Sequence, residues 1–228
     1  MGPREVTKDI YLIGGDDITD PRDGAVYIMD LGELVMIDAG AGESYDEIVL
    51  NIEKLGLDPA NLKSIILTHC HIDHIGGAPR FREAFGCEII MHHLDAAPVE
   101  RGDDRMTAAT WYNLRFPPMP VDVKLKKEEE RLCFGDQELI CLHTSGHTPG
   151  SLSVYLDRGG TRVLFGQDIH GPFSEEFGSD LVAWRRSMEK LLALEADILC
   201  EGHFGVFQPK DRVAAYIEHY MWQYREES

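Results

Sequence analysis

Between Thr68 and Gly77 the chain reads Thr-His-Cys-His-Ile-Asp-His-Ile-Gly-Gly, so four side chains able to hold a metal ion, His69, His71, Asp73 and His74, fall within six residues. Histidine ligands must bring an imidazole nitrogen to roughly 2.0–2.1 Å of a divalent transition metal, and a carboxylate oxygen works at a similar range. Three later points each set a ligand-type residue beside glycine: Ser145-Gly146-His147-Thr148-Pro149-Gly150, Gly166-Gln167-Asp168-Ile169-His170-Gly171 and Glu201-Gly202-His203-Phe204-Gly205. Glycine lets the backbone turn sharply and approach closely. Loops at strand ends can converge on one point. The first cluster and these three segments are therefore the candidate metal-binding points.

Such a set needs strands to deliver it. Ser64-Ile65-Ile66-Leu67 reads as a buried strand by its length and branched side chains, and it carries the first cluster at its carboxyl end. Gly76-Gly77 then opens a helix over 77–85. Upstream, 6–13 reads as an edge strand, and 25–30 with 33–38 as a hairpin across Leu31-Gly32. Ser44 with Glu47 forms a capping box ahead of the helical stripe Tyr45, Ile48, Val49, Ile52 and Leu55. Downstream, 88–91, 121–125, 138–143, 151–156 and 162–166 read as strands, the last two joined at the hairpin signal Asp157-Arg158-Gly159-Gly160. Leu181, Trp184, Met188, Leu191 and Leu192 stripe one late helix. Ile198-Leu199-Cys200 is a short strand, and Val213, Tyr216, Ile217, Tyr220, Met221 and Tyr224 stripe the last helix. Segment 92–120 has apolar bulk without one clean period. A helix is possible over 103–115, broken by Pro117-Pro118-Met119-Pro120, and the whole segment is either a lid or rim insertion or a satellite cluster of the core. Each half of the chain thus offers a sheet with helices on one side. Packed face to face, the two sheets make a four-layer αββα sandwich, a single α/β domain over 1–228.

A formal net charge of −18 argues against a nucleic-acid partner and against docking on an anionic membrane surface. No apolar run approaches the roughly 20 residues of a membrane span. Five cysteines without a C-x-x-C pair suit free thiols in a reducing compartment. With no signal-peptide core in Met1-Gly2-Pro3-Arg4-Glu5-Val6, the expected compartment is the cytoplasm. The expected partner is a small-molecule substrate, and a homo-oligomer is compatible with the sequence.

In order, H-x-H-x-D-H, S-G-H-T-P-G-S, G-x-D and G-H resemble the metallo-β-lactamase superfamily, over a stretch from about Ile37-Asp38-Ala39-Gly40 to Gly202-His203. The resemblance implies an αββα sandwich with metals at one edge of its two sheets. It also implies a division of the ligands: His69, His71 and His147 on one ion, Asp73, His74 and His203 on the other, and Asp168 bridging. Two divalent ions, zinc favoured with iron or manganese as alternatives, polarise a carbonyl and lower the pKa of a shared water. The activity implied is hydrolysis of an ester-type bond, thioester or lactone ahead of amide. Asp73 and His74 are the expected catalytic residues, Asp73 by orienting the hydroxide and helping to protonate the leaving group. Two ions against two carboxylates leave the site formally positive, open to carbonyl oxygens and anionic substrates. After Asp168 the chain reads Ile-His-Gly-Pro-Phe-Ser, without the glutathione-binding context of the hydroxyacylglutathione hydrolases. The competing readings are a mononuclear-iron persulfide dioxygenase and a non-catalytic metal-binding module.

Single residues complete the expectations. His170, two residues after Asp168, shares its face if the backbone is extended, and so either meets substrate, supports the ligands or lies on the surface. His170, Phe173 and Tyr112 are the candidate substrate-lining residues, with Trp111 and Phe177 beside them. Cys70 should point away from the ligands into the core. The resemblance implies that Asp38 braces the ligand turn by hydrogen bonds, the alternative being an ordinary turn aspartate. His143 reads as a core residue, and His92, His93 and His219 as solvated ones.

Overall fold

The alternation of apolar side chains along the strands dictates the layers. In Val26–Asp30, Val26 and Ile28 pack on one side while Tyr27 and Met29 pack on the other, and Leu34–Ile37 repeats this with Leu34 and Met36 against Val35 and Ile37. In Gln137–His143, Leu139 and Cys141 face one way and Ile140 and Leu142 the other. Strands buried on both faces cannot afford an exposed side, so they read as nearly continuous hydrophobic runs. The computed structural model, which describes residues 1–225, resolves this pattern into three apolar layers.

A seven-stranded sheet contains Arg4–Thr7, Ile10–Gly14, Val26–Asp30, Leu34–Ile37, Leu62–Ile66, Glu88–His92 and Val123–Leu125, in that spatial order. A six-stranded sheet runs Val206–Phe207, Ile198–Glu201, Thr161–Gln167, Leu152–Arg158, Gln137–His143 and Glu129–Phe134. The middle layer, with Tyr27, Val35, Ile66, Val154 and Phe165, joins the two sheets. Helices Tyr45–Lys54 and Ala78–Phe85 cover the first sheet; Leu181–Ala193 and Lys210–Gln223 cover the second. The fold is the expected αββα sandwich.

Two runs of parallel pairing place the chemistry. Leu34–Ile37, Leu62–Ile66 and Glu88–His92 are parallel neighbours, so Asp38 and the turn after Leu67 emerge at the same edge. Thr161–Gln167 and Ile198–Glu201 are parallel as well, bringing Asp168 and His203 out together. The His147 loop is anchored by the next helix: Asp180 caps Leu181–Ala193 by accepting from Val182 N at 2.8 Å and Ala183 N at 3.0 Å, while its own N–H bonds to Gly146 O at 2.8 Å.

Several local expectations need correction. Residues 6–13 are not one strand but parts of a hairpin, Arg4–Thr7 against Ile10–Gly14, turned at Asp9 with φ +62°. Ser44 occupies the N-cap yet makes no side-chain cap bond; with ψ at 5° its backbone is not in the extended conformation that aims a capping hydroxyl. Glu129–Phe134 is a strand at the sheet edge whose exposed face is charged, with Arg131 paired to both Glu129 and Glu138. In the 92–120 segment the helix is His93–Arg101, not 103–115. Left-handed residues Ala108 (φ +53°) and Asn113 (φ +54°) bracket a short 3-10 turn, Ala109–Tyr112. The ligand motif is itself helical over Ile72–Ile75 before the next helix begins at Ala78. Among the described residues no helix is long and apolar enough to cross a membrane.

Candidate metal centre

The seven candidate ligands converge from four loops. His69, His71, His147 and Asp168 form one buried group and Asp73, His74 and His203 a second, the ligand atoms in each lying within 4.8 Å of one another. Asp168 stands between them, with Oδ2 at 3.9 Å from His69 Nε2 and 3.5 Å from His147 Nε2, and Oδ1 at 3.2 Å from His74 Nε2. In the second group His74 Nε2 and His203 Nε2 are 3.2 Å apart, and Asp73 Oδ2 is 3.6 Å from the former and 3.3 Å from the latter.

These residues fit metal ions on two grounds. His69 Nε2 and Asp168 Oδ1 are buried without a hydrogen-bond partner, and leaving such atoms unsatisfied is costly unless something else engages them. Imidazole nitrogens also face each other closely, His71 Nδ1 to His147 Nε2 at 2.9 Å and His74 Nε2 to His203 Nε2 at 3.2 Å. Two nitrogens on one tetrahedral ion sit about 3.3 Å apart if each bond is about 2.0–2.1 Å long.

The far side of each ring fixes which nitrogen is free. His147 Nδ1 lies 2.9 Å from Pro172 O, a carbonyl that can only accept, so Nδ1 carries the proton and Nε2 turns its lone pair inward. Asp38 does the same for His74: its Oδ2 is 2.8 Å from His74 Nδ1. Asp38 also accepts from Thr68 N at 2.8 Å and Thr68 Oγ1 at 2.7 Å, and thus braces the ligand turn as expected. Two close approaches require glycine. A Cβ on Gly24 would stand 2.6 Å from His74 Cε1, and one on Gly202 would collide with the Asp168 carboxylate.

Electrostatics differ between the halves. Burial pushes His69 and His71 well below the usual histidine range and His147 down to about 4, so the first group offers neutral imidazoles. In the second group burial acts the same way, but Asp168 and Asp73 outweigh it and raise His74 well above its usual value and His203 to about 10. Burial would raise Asp73, yet His74 and His203 hold it at about 2. The two carboxylates therefore draw positive charge to this half of the site.

Two buried carboxylates that the motifs do not flag hold the loops in register. Asp95, on the helix His93–Arg101, accepts from Cys70 N at 3.0 Å, Thr148 Oγ1 at 2.7 Å and Gly150 N at 2.6 Å, tying the first ligand turn to the His147 loop. Glu201 accepts from His203 N at 2.7 Å and Phe204 N at 2.9 Å, and its other oxygen lies 2.9 Å from His170 Nδ1. Nothing in the local pattern distinguishes Asp95 from a surface acid on a helix. Glu201 carried a signal, an acid ending an apolar strand directly before Gly202-His203.

A cavity of about 220 Å³ opens onto the centre, with His71, Asp73, Asp168 and His203 at its polar side and Trp111, Tyr112 and Phe177 at its apolar side. Tyr112 and His170 both line it, and burial followed by the neighbouring Asp73 carboxylate raises the Tyr112 phenol. Phe173 does not line it. That ring packs against His147, Trp184 and Tyr224 and borders a separate groove over 173–182. Trp111 Nε1 donates to Glu176 Oε2 at 3.0 Å and the Trp111 ring meets Phe177 edge-on, so the 92–120 segment and the loop after Asp168 meet at the cavity wall. Cys70 is buried in the core, its thiol 3.2 Å from Met106 O. His143 bonds to Pro149 O at 2.9 Å. His92 is buried rather than solvated, because it stacks on His143 with ring centroids 4.0 Å apart.

The sequence matches the Metallo-beta-lactamase superfamily over residues 19–203, and the chain belongs to that superfamily. It is 30% identical over 200 residues to the probable metallo-hydrolase YflN of Bacillus subtilis, covering 74% of each protein. It is also 29% identical over 165 residues to an acyl-coenzyme A thioesterase of Gallus gallus, over 62% of this chain and 56% of that protein. A metallo-β-lactamase from Cronobacter sakazakii superposes with a TM-score of 0.86 at 23% identity, covering 100% of this chain and 96% of that one, which establishes the shared fold. The chain thus combines the metallo-β-lactamase fold with an intact two-part His/Asp site that could hold metal ions.

Proposed function

We propose that the protein hydrolyses an ester-type bond in a small molecule, thioester or lactone ahead of amide, with two divalent ions, zinc favoured. The observation that carries the reading is Asp168 set between two complete ligand groups at the floor of a cavity walled by aromatic rings. In it, His69, His71 and His147 would hold the first ion and Asp73, His74 and His203 the second, with Asp168 shared between them. Five imidazoles and two carboxylates suit zinc. Bound ions supply a nucleophilic hydroxide near neutral pH and polarise the substrate carbonyl.

The chain's own groups do the rest. Asp73 Oδ2, next to His203 and His74, is placed to accept a hydrogen bond from the attacking water and later to carry its proton towards the leaving group. Tyr112, with its phenol raised, stays protonated and can donate to a substrate oxygen beside Asp73. Trp111 and Phe177 exclude water from the reacting bond. The thioesterase among the relatives supports the preference for a thioester. The test is a panel of small thioesters, lactones and phosphodiesters offered to the metal-loaded protein. Turnover of thioesters or lactones is expected. Cleavage of phosphodiesters alone, or oxygen uptake with a persulfide and one bound iron, would overturn the reading.

A further inference from the structure

One histidine at the centre lies outside the seven-residue set. Asp168, His170 and His203 form a third group whose ligand atoms lie within 4.8 Å of one another. His170 follows Gln167, whose φ of +50° turns the chain at the strand end, and its ring lies with centroid 5.2 Å from that of His203. Its Nδ1 is 2.9 Å from Glu201 Oε1, a carboxylate buried to 0% exposure. A carboxylate accepts here, so Nδ1 carries the proton and Nε2 keeps its lone pair, on a ring that lines the cavity. This is the arrangement that metal-binding histidines show, one nitrogen on the ion and the other donating to a carboxylate or carbonyl. In this site His74 has it through Asp38 and His147 through Pro172 O.

We propose that His170 is an eighth metal ligand, and that with Asp168 and His203 it makes an outer seat for the second ion. Neutral His203 has one lone pair, on Nε2, so it serves one ion at a time. The outer group and the Asp73–His74–His203 group are therefore alternative seats for a single ion, and the total remains two per chain. The outer seat is also the more open one. The side chains of His170 and His203 are 15% and 23% exposed, against 0% for His74 and 6% for Asp73. An ion entering from the cavity meets His170 and His203 before it reaches His74. Glu201, bonded both to His170 and to the His203 backbone, is the positioning residue that keeps the two rings on one seat.

The inference rests on the two-ion reading of the site and is tested by binding rather than by turnover. The metal-depleted full chain is titrated with Zn²⁺ against a chromophoric chelator, as wild type, His74→Ala, His170→Ala and the double variant. With two seats, His74→Ala weakens the second ion but still binds it, and adding His170→Ala weakens it by about a further tenfold or more. Equal second-ion affinity in His74→Ala and the double variant overturns the proposal. So does loss of all second-ion binding in His74→Ala alone. If circular dichroism shows that His74→Ala does not fold, Asp73→Asn supplies the same background. A wild-type chain that takes only one ion overturns the two-ion reading itself, whereas two ions without a His170 effect overturn only the outer seat.

Discussion

Replacing Asp38 with asparagine should uncouple the two ions. Asp38 sits at φ +60°, a conformation that asparagine tolerates, so the exchange adds little backbone strain. Its Oδ1 accepts from Thr68 N, and the asparagine oxygen can keep that bond. Its Oδ2 serves Thr68 Oγ1 and His74 Nδ1, and there an NH₂ group would take the carboxylate's place. Thr68 can turn its hydroxyl to accept instead. His74 can meet the amide only by giving up the proton on Nδ1, which moves it to Nε2 and blocks that nitrogen as a ligand. Loss of such an outer partner typically costs 10–100-fold in metal affinity, or about 1.4–2.8 kcal/mol. The first ion should be weakened less, because Asp38 reaches its candidate ligands only through Thr68 Oγ1, which lies 3.1 Å from His69 Nδ1. Zn²⁺ titration of metal-depleted Asp38→Asn against a chelator separates the two affinities. An unchanged second affinity, or equal weakening of both, would refute the role given to Asp38.

Other perturbations probe separate parts of the account. Asp95→Ala strips Cys70 N and Gly150 N of their buried acceptor, and at about 1–3 kcal/mol for each orphaned donor it should lower stability by about 2–6 kcal/mol in urea unfolding; wild-type stability would mean that the loops are held otherwise. Tyr112→Phe should keep both ions yet reduce kcat by about 10²-fold or more if its hydroxyl donates in the transition state, and an unchanged kcat would assign it to packing alone. His92, held at about 4 chiefly by burial and then by His143, gains its proton more readily unfolded than folded. Stability should therefore fall as pH drops from about 6.5 to about 4 and level off below, and His92→Gln should flatten that difference in paired denaturant titrations. A slope identical in both proteins would contradict the buried, neutral state.

How much was legible follows from where each residue gets its instructions. Strands buried on both faces announce themselves through apolar runs, such as Val26-Tyr27-Ile28-Met29 and Val163-Leu164-Phe165, and the four ligand motifs are compact because each occupies one strand end. Glu129–Phe134 stayed hidden because its outward face is Glu129, Arg131 and Cys133 on an edge, where charge suits the fold better than hydrophobicity. The helix His93–Arg101 was masked by Pro98, and its key residue, Asp95, is functional only through Cys70, Thr148 and Gly150, which approach from distant parts of the chain. His92 looked solvated for the same reason: its partner His143 lies in the other sheet. Phe173 and Tyr112 illustrate the limit for cavity walls, since irregular loops alone decide that one faces the cavity and the other the back of His147.

The central claim is a centre of two ions bridged by Asp168, and the direct measurement is metal bound per chain in purified wild type and Asp168→Ala after zinc loading and removal of free ions. The account predicts close to two ions per wild-type chain and loss of much of the second in the variant. One ion per wild-type chain, or two ions retained equally without Asp168, would contradict it.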